Sequence, residues 1–296
     1  MKITYHSVIE IIIGFAFIFL ISIFFIGRIE NFPDFENYDL MIKDGVYWTR
    51  YIGSEPFSAL LMWISEGDEQ GGLIYYSLSW LISIFVISHI AFKYYQSAWF
   101  TVSVFLLFNP LHIIAFQVPR HFMGMVIFLL VLHSSGYRKW IGVVSIFLFQ
   151  NAIGLFIGTY ILIKKLHGFM LFAAYISMVL LYYVIALTVY EIHLNDEVSR
   201  GRGLLAYMAI TLIVFSIVTW KKKHDWNIVF SLAFISVLFY IFSPVAYRFF
   251  EVVITLAVLS AFKQTYSVFS IFLLKIFSLV SVILSFSIVY TGLFGY

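Results

Sequence analysis

The chain of 296 residues contains no cysteine, which rules out disulfides and cysteine-bound metal centres. Charge is also scarce. Asp, Glu, Lys and Arg make up 11% of the residues, where a soluble domain carries about a quarter. With 62% hydrophobic residues and a mean hydropathy of +0.99, a soluble domain has nowhere to lie. Strands that alternate in polarity over about ten residues are missing, so a membrane barrel is excluded. No nucleotide-binding glycine motif, calcium-loop spacing or internal repeat is present. The net charge of +3 is small, and its distribution along the chain carries more information than its sum.

What the sequence does contain is a series of apolar runs, each able to cross about 30 Å of hydrocarbon as a helix. Nine read as full spans: Val8–Gly27, Leu73–Phe92, Ala98–Phe116, Pro119–Ser134, Phe169–Val189, Leu204–Trp220, Trp226–Ser243, Pro244–Phe262 and Tyr266–Tyr290. The first is too long for a signal-peptide core and no small-residue cleavage site follows it. Proline disfavours helix in the residue before it, so the long stretch from Trp226 is divided at Ser243-Pro244. The expected fold is an all-α polytopic integral membrane protein with a single domain over residues 1–296.

Trp140 to Ile163 is long enough for a tenth span, but Gln150-Asn151 sits at its centre among Gly142, Gly154 and Gly158. A single crossing would put Lys164, Lys165, Lys221, Lys222, Lys223 and Lys263 outside, against the positive-inside rule. A re-entrant helical hairpin keeps all of them cytoplasmic, together with Lys2, Lys93, Arg138 and Lys139. Each arm of about ten residues reaches about 15 Å, near the midplane, where irregular backbone is tolerated if it lines a cavity. Gln150 and Asn151 would form the floor of that cavity. The amino terminus is then cytoplasmic and the carboxyl terminus outside. The outer loops are 28–72 and 190–203. In the first, Ser54-Glu55-Pro56 starts a short helix with Phe57, Leu60, Leu61 and Ile64 on one face, expected to lie in the membrane interface.

Arginines placed at the outer surface run against the positive-inside rule, and Arg120, Arg200, Arg202 and Arg248 all lie there in this topology. Arg120 begins a span between Pro119 and His121 in a region with little other polarity. A planar guanidinium binds phosphate through two hydrogen bonds, which suits a diphosphate. The plain alternative is a side chain that snorkels to headgroups. Arg200 and Arg202 fall in a glycine-spaced loop that could equally be a solvated connection. Arg248 lies three residues before Glu251 on one helix face, where an ion pair is the simple reading. Glu55 could favour the dipole of its own helix or act as a base near a sugar hydroxyl. His112 and His121 could share that role, although an isolated histidine in an apolar helix is more often a packing residue. Glu10 and Lys275, nearer the cytoplasmic side, read as paired or snorkelling groups.

Five short elements in order resemble the EpsG-like branch of Wzy-type polymerases, which join lipid-linked repeat units of O-antigen, capsule or exopolysaccharide. They are Asp34-Phe35-Glu36-Asn37-Tyr38, Glu55-Pro56-Phe57, Arg120-His121-Phe122-Met123-Gly124, Phe149-Gln150-Asn151-Ala152-Ile153 and Arg248-Phe249-Phe250. The order and spacing cover nearly the whole chain. Gln150 stands where the family often has histidine, and His121 where it has glutamine. The resemblance implies a glycosyltransferase without cofactor or metal at the outer face of the bacterial inner membrane. Its substrates would be undecaprenyl-pyrophosphate-linked glycans as donor and acceptor, with a flippase and a chain-length regulator as companions and no nucleic acid. It implies Arg120, Glu55, Arg248 and His121 as catalytic candidates. Asp34, Tyr38, His112, Gln150, Asn151, Arg200 and Arg202 are its substrate-binding candidates. Two other readings stay open: a lipid-linked oligosaccharide flippase, and another lipid-carrier glycosyltransferase or ligase. A flippase fits less well, because the charged candidates gather on one face and no repeat pairs the two halves.

Overall fold

The computed structural model describes residues 5–32, 34–67, 70–95, 98–109, 118–150, 251–256 and 268–291, with single positions elsewhere. No strand occurs among them. Nine helices lie in these stretches: α1 (Tyr5–Ile26), α2 (Phe35–Lys43), α3 (Tyr47–Tyr51), α4 (Pro56–Ile64), α5 (Gly71–Tyr95), α6 (Trp99–Phe108), α7 (Pro119–Leu132), α8 (Tyr137–Phe149) and α9 (Val268–Thr291). Residues 251–256 are helical as well. The expected spans from Phe169 to Ser243 are described at isolated positions only, and Pro244–Phe262 only in its later part. Among the described residues one helix, Gly71–Tyr95, is long and apolar enough to cross a membrane.

Helix α5 is the axis of the described part, with α2, α6 and α7 packed along it, α9 against α6 and α8 against α7. The centre of the packing is aromatic. Trp80 of α5 stacks on Phe122 of α7 at 6.1 Å and meets Phe25 of α1 and Phe108 of α6 at 5.8 Å. Two polar side chains inside this core are satisfied within their own helix. Ser79 and Ser83 donate to carbonyls four residues back, at 2.9 and 2.6 Å.

Helix α6 stops at Phe108, eight residues before the expected end of its span at Phe116. Asn109 is extended (φ −63°, ψ 130°), as a residue before proline prefers to be, and Pro110 follows it. The Phe108 carbonyl, orphaned by that stop, accepts a hydrogen bond from Ser285 of α9.

The loop 28–72 is largely helical, which the apolar pattern does not foretell for α2 and α3. Helix α2 docks on the first turn of α5. The Asp39 carboxylate accepts from the Gly72 amide at 2.9 Å, where a negative charge suits the helix dipole, and it also pairs with Lys43 at 2.6 Å. A Cβ at Gly72 would come within 2.7 Å of Asp39 Cβ, so this approach requires glycine. Helix α4 begins as expected, with Glu55 before it and Pro56 in its first turn. The face it turns into the protein carries Ser58, Ala59 and Met62, which are buried, while Leu60 and Ile64 are exposed. The small residues let α4 approach the end of α8. There Ser58 donates to the Phe149 carbonyl at 3.0 Å, and the Phe57 and Phe149 rings meet edge to face at 5.3 Å.

Helix α8 ends where the hairpin reading broke the chain. Gln150 is extended (φ −158°, ψ 116°), and a Cβ on Gly154 would come within 2.5 Å of the Phe147 ring. In an unbroken helix those two residues would lie about 10 Å apart along the axis. The helix therefore does not run on unbroken past Gln150. The rest of the second arm lies outside the described residues.

Candidate functional site

Two polar clusters sit side by side at the first turn of α7, around the consecutive residues Arg120 and His121. The first is built on Arg120. Pro119 occupies the first turn of α7, where its missing N–H costs no helical bond, and places Arg120 next in line. The guanidinium forms an ion pair with the Glu55 carboxylate through Nη1. Its Nε–H donates to the Tyr38 hydroxyl at 3.1 Å. Its face lies 4.2 Å from the centre of the Tyr51 ring, a cation–π contact, and 5.9 Å from that of Tyr38. Four elements thus converge: α2 brings Tyr38, α3 Tyr51, the start of α4 Glu55, and α7 Arg120. The Arg120 and Glu55 side chains are 16% and 9% exposed, so the pair is shielded without being sealed.

Tyr38 is itself fixed by the rings of Tyr75 and Tyr76, at 5.6 and 5.8 Å. Burial raises its hydroxyl above the usual tyrosine value; Arg120 pulls the other way and Asp34 adds to the rise. Tyr38 therefore stays a neutral hydroxyl at physiological pH. Asp34 lies just before α2, near enough for its charge to act on Tyr38.

The second cluster surrounds His121, which is almost fully buried. Its Nδ1 lies 2.7 Å from the Gln150 side-chain oxygen, and its Nε2 2.8 Å from the Glu251 carboxylate, at ion-pair distance. Gln150 terminates α8 and Glu251 belongs to the helical stretch 251–256. His121 thus ties the start of α7 to two other segments.

Of the residues singled out in sequence, Arg120, Glu55 and Tyr38 meet in one cluster with Asp34 nearby, and His121 and Gln150 meet in the next. Asn151, His112, Arg200, Arg202 and Arg248 lie outside the described residues. Two participants were not anticipated. Tyr51 sits four residues before Glu55 with no motif to mark it. The Glu251 carboxylate lies against His121, a contact that the expected pairing with Arg248, which lies outside the described residues, does not include. Lys275 is exposed on α9, as a snorkelling residue would be, and the Glu10 side chain lies outside the description. Among the described residues no group of three or more His, Cys, Asp or Glu is placed to hold a metal ion.

What the Arg120 cluster can do chemically follows from its donors. Of the five guanidinium N–H groups, Tyr38 takes one and Glu55 engages the Nη1 amino group. Two neutral aromatic groups hold the orientation, and one carboxylate balances the charge. Such a guanidinium can receive a phosphate oxygen pair, and a carboxylate beside it can accept a proton. Comparison with protein-family models, curated proteins and solved structures gives no match for this chain.

Proposed function

We propose that this chain is a polytopic membrane glycosyltransferase that polymerises oligosaccharide repeat units carried on undecaprenyl pyrophosphate, at the outer face of a bacterial inner membrane. The observation that carries this reading is the Arg120 cluster. A shielded guanidinium stands at the start of an apolar helix, with a carboxylate and two tyrosines brought to it from the loop 28–72. Ionisable groups in an apolar bundle are costly and mark functional positions.

Further support comes from the surface of the long helices. Ile12, Ile13, Phe19 and Leu20 on α1, and Phe272, Leu279 and Ile283 on α9, are all exposed. Apolar faces of that extent suit lipid. The order of the five family-like elements adds to the reading, because Tyr38, Glu55, Arg120 and Gln150 come from four of them and lie within the two adjoining clusters. In the reaction, Arg120 stabilises the charge that develops on the leaving diphosphate. Tyr38 and Tyr51 keep the guanidinium aimed, and the Glu55 carboxylate is the candidate base for the acceptor hydroxyl. No nucleotide sugar is required, since the lipid diphosphate is the leaving group.

Deleting the gene and separating the lipid-linked and surface glycans on a gel tests this function. The expected result is single repeat units without a ladder. Complete loss of surface material would indicate a flippase instead, and an unchanged ladder would remove the chain from glycan assembly.

A further inference from the structure

Glu55 occupies the position an anionic ligand of Arg120 would need. Its carboxylate is on Nη1, while Tyr38 and Tyr51 hold the rest of the guanidinium without contributing charge. A phosphate on the same edge would sit against the carboxylate, and like charges so close cannot both remain ionised on one partner without strong repulsion. A diphosphate takes the whole outer edge of the guanidinium only if the carboxylate gives up Nη1.

The backbone allows this. Glu55 lies outside α4, with its amide donating to the Tyr51 carbonyl at 2.6 Å and its carbonyl accepting from the amides of Ser58 and Ala59 at 3.0 and 3.2 Å. Those bonds hold the main chain in place while side-chain rotation moves the carboxylate. The preceding residues Ile52, Gly53 and Ser54 are exposed, so the chain reaches solvent directly before Glu55. Once Glu55 swings away, Arg120 is still held by the Tyr38 hydroxyl and the Tyr51 face.

We propose that Glu55 is an exchangeable occupant of the Arg120 anion site: the diphosphate of the lipid donor displaces it, and the released carboxylate becomes the base that takes the acceptor proton. This rests on the polymerase reading above. In the step itself, the bond from the donor sugar's anomeric carbon to the diphosphate oxygen breaks, and its electron pair stays on the diphosphate against Arg120. The acceptor hydroxyl oxygen bonds to that carbon. Its proton passes to Glu55 and then to water. Displacement frees the carboxylate oxygen that is engaged on Arg120 Nη1, so that it can accept a hydrogen bond from the acceptor hydroxyl.

The consequence is a pair of opposed effects from one substitution. Glu55→Gln removes the competing charge and keeps the shape. Farnesyl diphosphate binding to the purified protein in nanodiscs should tighten about tenfold, while polymerisation should slow by about 10²–10⁴, the usual share of a general base. Inorganic pyrophosphate should compete weakly, and farnesol not at all. Glu55→Asp, one methylene shorter, loosens the pair but keeps a carboxylate. It should also bind more tightly and retain part of the turnover, and it serves in place of Glu55→Gln if that variant does not fold. Wild-type protein that binds farnesyl diphosphate no less tightly than these variants would overturn the exchange alone. Tighter binding with wild-type turnover in Glu55→Gln would overturn the base role. Wild-type protein that does not bind farnesyl diphosphate would overturn the polymerase reading and the exchange together. Inorganic pyrophosphate binding as well as the lipid form would move the ligand from the membrane to solution.

Discussion

Arg120→Lys is expected to remove most long-chain glycan while the protein keeps its normal level in the membrane. The substitution preserves the positive charge, and lysine can still pair with Glu55. What it loses is the planar fork. Arg120 uses Nε on Tyr38, Nη1 on Glu55 and its flat face on Tyr51 at the same time. An ammonium is a point charge that cannot hold three directions at once or grip two phosphate oxygens in parallel. Loss of a charge-stabilising donor from a catalytic site costs about 10²–10³ in rate. A snorkelling or merely structural arginine predicts the opposite outcome, since lysine also snorkels and also forms ion pairs. The readout is the ladder of chain lengths, with an immunoblot of the membrane fraction alongside. A full-length ladder from the lysine variant would make the Arg120–Glu55 pair a tie between loop and helix and nothing more.

Glu251→Leu is expected to destabilise the protein by about 1–3 kcal/mol, the usual cost of leaving a buried polar group without its partner. Glu251 has no exposed surface and His121 is 1% exposed, so water cannot replace the lost partner. Changing His121 to leucine as well should recover a good part of the loss, because two apolar side chains can pack where two polar groups faced each other. The recovery should be incomplete, since the Gln150 amide would then face a leucine. The double change should thus cost less than the two single changes added together, by about 0.5–3 kcal/mol for residues in direct contact. Thermal unfolding of the detergent-solubilised variants measures all three. Additive losses, or a Glu251→Leu variant as stable as the wild type, would mean that the two residues are not coupled.

The long helices were the most legible part of the chain, because an apolar run of fixed length needs no partner to be recognised. Helices α1, α5, α7 and α9 lie within a few residues of their expected bounds. Helix α6 ended early for a reason visible in the sequence: Asn109-Pro110 is the same break applied at Ser243-Pro244. The loop 28–72 was harder. Helix α2 is polar enough to pass for solvated loop, and α3 is only five residues long. The face that α4 turns into the protein is not marked by large apolar residues. The contact that decides the face is a hydrogen bond from a serine to a carbonyl 91 residues away.

The site divides in the same way. Arg120, Glu55 and Tyr38 were legible because each belongs to a short element with a recognisable order. Tyr51 and Glu251 were not, since a ring under a guanidinium and a carboxylate against a buried histidine leave no local mark. The pairing of Glu251 with Arg248 was inferred from helix spacing, which sees only partners on the same helix. His121 lies 130 positions away in the chain.

The central claim is that this chain alone, acting on lipid-linked repeat units, lengthens the glycan. It is tested most directly by reconstituting the purified protein into vesicles with the lipid-linked glycan extracted from a strain that lacks it. That extract supplies the natural sugars without their having to be known. The expected result is a ladder of products that forms with no nucleotide sugar added, and that fails to form with the Arg120→Lys protein. Single repeat units left unchanged by the wild-type protein would contradict the account.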